Sequence, residues 1–523
     1  SALMADEHSN EAPSFKVQGI VTDEKGEGLP GASVWVKGTV VGAGTNAKGE
    51  FSFKLSSKNR CVLRVSFTGY EPQEREVTPG VDSLYHFVLE PSNNALNEVV
   101  ITGTRTLKPL KDVPVLTRVI SSEDIAQVNP LDLQSLLEYE MPGLQFGLAH
   151  GSGLPELKFQ GSAGGYVLFM IDGERVAGEG SSNNIDYNLI DMDNVERIEI
   201  VKGPMSTLYG SQAMGGVVNI ITKDANRPFT GNVSVRYGNN DESKYSLSLG
   251  TKQGRFSALT SLSYRKRDAY ALKDKEGQIE YSYYKDIYGR DSVVADTSEK
   301  GMSSVNGFEI WQANQKLSYT FNENFRISLN GAYYNNDVLE YVEQKEQDRF
   351  SNYSINPRVY YAINDSHILD FSYVFENYEK RYVYTTSLPS KKVFGDLTNT
   401  VRLNYTGYIH EKHTLTAGIE VNTQKLQHYW FDNGSGKKFD AQTYVLYLQE
   451  DYKVSDSFSV LAGVRSDCHS KYGFHASPKI SLMYKYGVLT LRGGYGMGFR
   501  IPSLKELHSE YDMGGQGFFM IYG

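Results

Sequence analysis

Long apolar runs are missing from this sequence, and no window comes near the roughly 18 apolar residues that a membrane-spanning helix requires. The mean hydropathy of the 523 residues is -0.42. A helical membrane protein is therefore excluded. A transmembrane β-barrel is not excluded, because its strands alternate apolar and polar side chains and so dilute the hydropathy signal. The length favours several domains.

Cysteine is nearly absent as well. Cys61 and Cys468 fall in different predicted domains, so the sequence predicts two free thiols and no disulfide framework. Excess basic charge is also missing. The net charge of -9 and the pI near 5.7 argue against nucleic acid as a partner. The 37 tyrosines and 24 phenylalanines, against 3 tryptophans, fit the aromatic girdles of a membrane barrel. A secreted β-protein would show the same bias.

The N-terminal part predicts a small all-β domain over residues 15–91. Short β-prone runs alternate there with glycine-containing turn clusters, for which Gly26 and Gly49 supply positive φ. The predicted strands include Val17–Thr22, Ser33–Lys37, Glu50–Leu55 and Val62–Phe67. Before them, Ser1–Ser14 is polar and predicted to be disordered. The chain opens without a signal peptide, which we expect to have been removed or omitted.

Residues 195–223 are the most informative stretch. Two β-prone runs, Ile198–Val201 and Val217–Thr222, flank a loop that contains four glycines and one proline. Together with Ile171–Val176 upstream, this stretch resembles the plug domain of TonB-dependent outer-membrane receptors. The resemblance implies an α/β plug over residues 104–223. Within it, the capping pattern at Ser121 and the periodicity of Leu131–Tyr139 predict helices.

Residues 15–91 resemble the carboxypeptidase-regulatory-like sandwich that precedes the plug in many receptors of the Bacteroidetes type. Residues 92–103 then form a linker whose end resembles a Ton box, the strand that the energising protein TonB grips by main-chain pairing. The alternative interpretation is a buried strand of the plug itself. The predicted TonB-binding residues are Leu96, Asn97, Glu98, Val99, Val100, Ile101, Thr102 and Gly103.

From residue 224 onward, about thirteen alternating runs predict the strands of a barrel. Short connections such as Ile409–Lys412 alternate with longer ones, above all Asp268–Gly307, and this asymmetry predicts periplasmic turns and extracellular loops. The fold class is thus mainly β, with a sandwich, an α/β plug and a transmembrane barrel of the 22-stranded type. Bacterial barrels close with an even number of strands, and an unclosed edge in lipid leaves backbone groups unpaired. We therefore expect residues 224–523 to be part of a larger barrel.

The predicted ligand site lies at the end of the last strand. Phe499, Arg500, Ile501 and Pro502 resemble the Phe/Tyr-Arg-Ala-Pro box of haem-receptor members of the family, with Ile501 in place of Ala. The resemblance implies that His508, in the loop that follows, is a haem-iron ligand, and neutral imidazole suits that role. His150, in a glycine-rich plug loop, is its predicted partner. The alternative interpretation is that both histidines are incidental loop residues.

The resemblance implies active import of a scarce nutrient across the outer membrane, with haem as the leading ligand. Cobalamin or an iron siderophore is the alternative, and a non-transporting outer-membrane adhesin is the alternative of another class. Expected partners are the TonB complex, outer-membrane lipid and a surface lipoprotein that delivers ligand. The N-terminal domain is expected in the periplasm. No catalytic constellation, intrinsic metal site or intrinsic cofactor is predicted.

Overall fold

The computed structural model describes most of the chain in separate ranges. These are residues 15–37, 39, 41–46, 48–55, 60–67, 70–78, 84–90, 99–140, 144–148, 155–159, 162–163, 166–178, 185–271, 280–285, 291–296, 304–340, 346–384, 388–410, 412–431, 436–487, 489–512 and 520–522. The segment Ser1–Ser14 and the residues Leu96, Asn97, Glu98 and His150 lie outside them.

The N-terminal domain is a sandwich of two sheets with strand orders β4-β1-β7 and β3-β2-β5-β6. Along β4 every second side chain is buried, and Phe51, Phe53 and Leu55 pack between the sheets with Val17 and Phe87. The four predicted strands are confirmed, and three more were missed. The strands are β1 Phe15–Asp23, β2 Ser33–Val36, β3 Gly42–Gly44, β4 Glu50–Leu55, β5 Cys61–Ser66, β6 Gln73–Val77 and β7 Tyr85–Leu89.

The plug is an α/β unit around a five-stranded sheet of order β10-β16-β17-β14-β15. Helix α1 begins at a capping box in which Ser121 and Asp124 satisfy each other's backbone amides, as the sequence predicted. Its strands are β8 Val99–Val100, β9 Lys108–Pro109, β10 Thr117–Ile120, β11 Leu144–Leu148, β12 Pro155–Phe159, β13 Ser162–Ala163, β14 Val167–Ile171, β15 Glu174–Arg175, β16 Val195–Lys202 and β17 Gly216–Thr222. Its helices are α1 Ser122–Val128, α2 Leu133–Glu140 and α3 Ser206–Tyr209.

The turn between β14 and β15 explains why the upstream segment reads Ile-Asp-Gly. Asp172 and Gly173 both adopt positive φ, at 50° and 85°, as a tight hairpin turn of this kind requires. The Asp172 carboxylate accepts hydrogen bonds from the backbone amide and hydroxyl of Thr222, at 2.9 and 2.6 Å. The turn is thereby tied to the end of the last plug strand.

A thirteen-stranded antiparallel sheet, here called the wall, follows the plug. Its strands pair in chain order and match the thirteen predicted runs one for one. They extend further than predicted, to 20 residues in β29. The wall strands are β18 Thr230–Tyr237, β19 Ser243–Gln253, β20 Phe256–Arg267, β25 Gly307–Asn322, β26 Phe325–Leu339, β27 Glu346–Asn364, β28 His367–Tyr384, β29 Lys391–His410, β30 His413–His428, β31 Lys438–Lys453, β32 Phe458–His469, β33 Gly473–Tyr486 and β34 Leu489–Gly496.

Short strand pairs and one helix lie outside the wall. β21 Tyr270–Ala271 pairs with β24 Ser304–Val305, β22 Glu280–Lys285 with β23 Asp291–Asp296, and β35 Glu510–Asp512 with β36 Met520–Tyr522. Helix α4, Leu504–His508, follows the last wall strand. In the described part of the chain, no helix is both long and apolar enough to cross a membrane.

The wall has an apolar outer face and a polar inner face. On β31, Tyr444, Leu446 and Leu448 point outward and are about half exposed, whereas Val445 and Tyr447 between them are buried against the plug. Strand β20 shows the same division, with Leu262 exposed and Ser261 buried. A strand with one face in lipid and one in a polar lumen shows this pattern.

Connections between the wall strands are short at one rim. They cover residues 254–255, 323–324, 365–366, 411–412, 454–457 and 487–488, whereas the opposite rim carries the long connection 268–306. The sandwich lies at the short-turn rim. Its Arg64 approaches Asp112 of the plug at 4.0 Å, and Asp112 pairs with Lys485 near the end of β33. The N-terminal domain and the short turns therefore share one side.

This arrangement predicts which residues are accessible from outside the cell. In a background with both native cysteines changed to serine, Asp268→Cys should react with a membrane-impermeant maleimide on intact cells. Lys412→Cys, at the opposite rim, should react only after permeabilisation. If Lys412→Cys reacted on intact cells and Asp268→Cys did not, the protein would have the opposite orientation in the membrane.

Candidate functional site

The segment predicted to bind TonB is, from Val100 onward, part of the packed plug. Val99 and Val100 pair with Pro109 and Lys108, and the side chains of Val100 and Thr102 have no exposed surface. A Cβ atom on Gly103 would lie 2.8 Å from the Val113 side chain. Val100, Thr102 and Gly103 therefore do not lie in an accessible linker, and Val99 and Val100 form a plug strand, as the alternative interpretation expected. TonB binding by Leu96–Gly103 stays a prediction.

Glu199 of β16 holds this segment. One carboxylate oxygen accepts hydrogen bonds from the Ile101 amide at 3.0 Å, the Thr102 amide at 2.8 Å and the Thr102 hydroxyl at 2.7 Å. The other oxygen is paired with Arg197 at 2.9 Å. Glu199 is completely buried. The carboxylate is therefore satisfied by four donors from two parts of the plug, as a buried charge requires.

Thr102 makes two further bonds inside the plug. Its hydroxyl accepts from the Asn219 amide at 2.9 Å, and its carbonyl accepts from the Tyr209 hydroxyl at 2.9 Å. Asn219 lies on β17 and Tyr209 on α3. Ile101 and Thr102 are consequently fixed to the central strands β16 and β17 of the plug sheet, and the plug begins before the predicted boundary at residue 104.

The plug meets the wall largely through polar groups. Arg105, which adopts a φ of 60°, donates to the Tyr447 hydroxyl at 2.5 Å and to the Leu208 carbonyl at 2.8 Å. Gln449 of the wall donates to the Thr104 carbonyl at 3.0 Å. An apolar contact accompanies these bonds, because Leu208 packs in one cluster with Tyr447.

Ion pairs between the plug and the wall surround this contact. They are Lys108–Asp451, Lys485–Asp112, Arg236–Asp193, Lys244–Asp191, Lys316–Asp172 and Arg402–Glu174, with N···O distances of 2.5 to 3.2 Å. Burial alone would raise the pKa of Asp112, but the hydrogen bond and charge of Lys485 bring that pKa below its ordinary value. The interface thus combines opposite charges with the apolar contact between Leu208 and Tyr447.

Asp186 is bound differently. Its carboxylate accepts hydrogen bonds from the hydroxyls of Tyr334 on β26 at 2.8 Å and Tyr378 on β28 at 3.0 Å, and the Asn188 amide donates to it at 3.1 Å. The side chain is completely buried. Burial raises the pKa of Asp186 despite these bonds.

Beyond Asp186 lies a cluster of large side chains that we call the outer aromatic cluster. Its rings come from β26, β27, β28, β29 and the connection after β30, and α4 packs on it through Leu504. Lys380 lies 5.2 Å from the Phe350 ring and Lys505 lies 4.4 Å from the Trp430 ring. The cluster consists of Ile310, Tyr334, Phe350, Tyr378, Phe394, Leu426, Phe431, Ala441 and Leu504.

The predicted ligand-binding residues Phe499, Arg500 and Pro502 lie just before α4 and help to fix its position. Arg500 pairs with Glu506 at 2.5 Å, and Glu506 forms a capping box with Ser503, the residue after Pro502. The Ile501 amide donates to the Ser211 hydroxyl of the plug at 2.9 Å. Phe499 stacks on His475 with ring centroids 5.2 Å apart. In this structure Phe499, Arg500 and Pro502 thus fold the chain back onto the plug.

His508 is the last residue of α4. The sequence had predicted that it would lie in an open loop. Its ring stacks on Phe439, with centroids 3.7 Å apart and planes 6° from parallel. Its Nε2 is buried without a hydrogen-bond partner among the described residues. Burial lowers the pKa of His508, so its ring is neutral at pH 7. Within the same described residues, no group of three His, Cys, Asp or Glu side chains is arranged to hold a metal ion.

Three family models match the chain. They are a carboxypeptidase-regulatory-like domain over residues 17–101, a TonB-dependent receptor plug domain over residues 109–217 and a TonB-dependent receptor-like β-barrel over residues 264–523. The plug and barrel models together match more than half of the chain. The chain belongs to the TonB-dependent receptors.

Curated relatives resemble most of this receptor. The vitamin B12 transporter of Vibrio vulnificus is 26% identical over 426 residues, covering 79% of this chain and 65% of its own length. The iron-regulated outer membrane virulence protein of Vibrio cholerae is 25% identical over 437 residues, covering 79% and 61%. The receptor chain thus spans less than two thirds of these relatives.

A solved structure shows the same fold. A mutant of the ferric enterobactin receptor of Pseudomonas aeruginosa superposes with a TM-score of 0.62 at 19% identity, covering 75% of this chain and 63% of the other. The receptor is an outer-membrane protein, with its N-terminal sandwich in the periplasm, as the sequence predicted.

Sequence reasoning missed Glu199, Asp186 and Arg105, the residues of the receptor that make the most specific contacts. Of these three residues, only Glu199 has a sequence context that points to a buried, paired charge. It is a carboxylate between Ile198 and Ile200 in a strongly β-prone run, and such a charge is buried only when it is paired.

The Asp186 contacts predict a pH dependence of stability. A pKa raised above its ordinary value means that the folded receptor holds this proton more tightly than the unfolded chain does. The contribution of Asp186 to the free energy of unfolding is therefore lost as the pH rises from about 4 through the pKa of Asp186 in the folded protein. Asp186→Asn keeps an oxygen for both tyrosines, so its thermal unfolding midpoint should fall less between pH 4 and pH 7 than that of the wild type.

Tyr334→Phe is the control for that measurement, because it removes one donor and leaves the carboxyl group in place. Its midpoint should fall at least as steeply as that of the wild type. If the unfolding midpoint changed equally with pH in Asp186→Asn and in the wild type, Asp186 would not titrate between pH 4 and pH 7.

Proposed function

We propose that this receptor imports an iron chelate across the outer membrane and that TonB supplies the energy. The polar character of the contact between the plug and the wall carries the proposal. A plug that must move and return needs contacts that water can replace, and ion pairs and hydrogen bonds meet that requirement. An adhesin has no need for a mobile plug, so this interface favours import over the adhesin alternative.

A ferric siderophore is the ligand class that we favour. The solved structure with the TM-score of 0.62 is that of a ferric enterobactin receptor, and one relative is named as iron-regulated. The ammonium group of Lys380 lies on the Phe350 ring of the outer aromatic cluster and pairs with Asp348 at 2.9 Å. The ammonium group of Lys505 lies on the nearby Trp430 ring. Aromatic surface combined with positive charge suits an anionic, aromatic chelate. Cobalamin is the alternative that the Vibrio vulnificus relative supports.

Haem, the leading ligand in the sequence analysis, is supported by one observation only. The unpartnered Nε2 of His508 has the chemistry of an axial iron ligand. His150, its predicted partner, lies outside the described residues. Haem therefore ranks behind siderophores as the proposed cargo.

The TonB contact is proposed at the start of the plug. Because Val100, Thr102 and Gly103 are buried, the strand offered to TonB is limited to the residues before Val100, among them Leu96, Asn97, Glu98 and Val99. The apolar outer face of the wall is the proposed contact with outer-membrane lipid. A surface lipoprotein that delivers the chelate is a further proposed partner.

A three-residue deletion tests the TonB contact. Removal of Leu96, Asn97 and Glu98 leaves the buried part of the segment in place, so ligand affinity should remain within about twofold. Accumulation of ⁵⁵Fe from ferric enterobactin should fall to the level of a strain that lacks TonB. Cyanocobalamin is the second probe in the same assay.

The matched control removes Ser92, Asn93 and Asn94, which shortens the linker by the same length. This control should retain most of the uptake. Equal loss in both deletions would assign the effect to linker length, and uptake in the absence of TonB would overturn the proposed energy source.

Haem is tested by substitution of His508. His508→Phe keeps the stacking on Phe439 and removes both ring nitrogens, so stability should be unchanged or slightly higher. If haemin is a ligand, the Soret band of the complex should shift in this variant and affinity should fall about tenfold. A haemin spectrum unchanged by the wild-type receptor would exclude haem.

A further inference from the structure

A single carboxylate joins the first residues of the plug to the centre of the plug sheet. Glu199 lies on β16, which pairs with β10 on one side and β17 on the other. Three of its four hydrogen-bond donors belong to Ile101 and Thr102, which are close to the proposed TonB strand. We propose that Glu199 is the anchor through which a pull on the chain before Val99 reaches the plug sheet. This inference rests on the TonB-driven import proposed above.

The contacts before the anchor are weak against such a pull. Val99 and Val100 form a two-residue ladder with Lys108 and Pro109, and its bonds can open one after the other. At the anchor, by contrast, the backbone amides of Ile101 and Thr102 and the hydroxyl and carbonyl of Thr102 are all bonded within the plug. These bonds must break together, so Thr102 is the first point at which the chain resists.

The contacts after the anchor are shared between the wall and the plug. The Thr104 carbonyl is bonded to Gln449 of the wall, and the Arg105 side chain is bonded to Tyr447 of the wall and to the Leu208 carbonyl of the plug. If the Glu199 bonds were absent, Thr102 would keep only its bonds to Asn219 and Tyr209, and more of the pull would act on the wall, which is held by its strand ladders. Glu199 thus directs the force to the part of the plug that has to move.

A glutamate suits this role better than a neutral side chain does. Arg197 holds one oxygen, which orients the carboxylate, and the other oxygen is left for Ile101 and Thr102. Hydrogen bonds to a charged acceptor are stronger than those to a neutral one. Asn219 and Tyr209 then connect Thr102 with β17 and α3. Glu199 is therefore a positioning residue and does not itself contact the ligand.

Hydrogen exchange of the purified full-length receptor tests the anchor without TonB. In Glu199→Gln, the amides of Ile101 and Thr102 should exchange at least tenfold faster than in the wild type. Glu196→Gln is the matched control, because it makes the same change on the same strand in a side chain that is 42% exposed and is paired with Arg197 at 3.6 Å. Unchanged exchange in Glu199→Gln would overturn the anchor.

Uptake and binding are then compared in the same variants. Glu199→Gln should lower TonB-dependent uptake of ferric enterobactin at least fivefold, with the dissociation constant within twofold of the wild type. A purely structural role would weaken expression, binding and uptake together. Thr102→Val, which removes one hydroxyl and leaves Glu199 in place, is the second variant if Glu199→Gln does not fold. Full uptake in a variant whose exchange is accelerated would overturn the force path.

Single-molecule pulling separates this inference from the proposed function. With the wall immobilised and force applied through a handle at Ser92→Cys, the first rupture force should fall in Glu199→Gln and stay unchanged in Glu196→Gln. A lower rupture force together with TonB-independent uptake would retain the anchor and overturn TonB-driven import. An equal rupture force in all variants would overturn the anchor alone.

Discussion

The two-residue period of the wall strands is the constraint on which the rest of the structure depends. Because successive side chains point to opposite faces, a strand that presents Tyr444, Leu446 and Leu448 outward must present the residues between them inward. The inner face is largely polar and cannot be covered by an ordinary apolar core. The plug therefore meets it with carboxylates, guanidinium groups and hydroxyls, and its fold holds those groups at the right positions.

Two buried carboxylates show how differently the plug uses this chemistry. Glu199 is compensated by Arg197 and by donors of the plug itself, so it joins two parts of the same domain. Asp186 instead depends on two tyrosine hydroxyls from the wall. The first contact lies inside the plug, and the second joins the plug to the wall. The internal cohesion of the plug and its attachment to the wall thus depend on separate residues.

Helix α4 packs on the wall in a different way. Leu504 lies in the outer aromatic cluster, His508 stacks on Phe439, and Arg500 pairs with Glu506 at the start of the helix. The segment with the haem-receptor-like box therefore covers aromatic side chains of the wall.

The sequence by itself determined the order of the domains, the thirteen strands of the wall, the capped helix at Ser121 and the turn residues Gly26 and Gly49. Each of these depends on a local period or on the conformational preference of a few neighbouring residues. Only the tertiary structure decided that Val100, Thr102 and Gly103 are buried, that His508 ends a packed helix, and that Glu199 and Asp186 hold parts of the plug. Those outcomes depend on partners about 70 to 190 positions away along the chain, and local pattern carries no information about which distant strand supplies the partner.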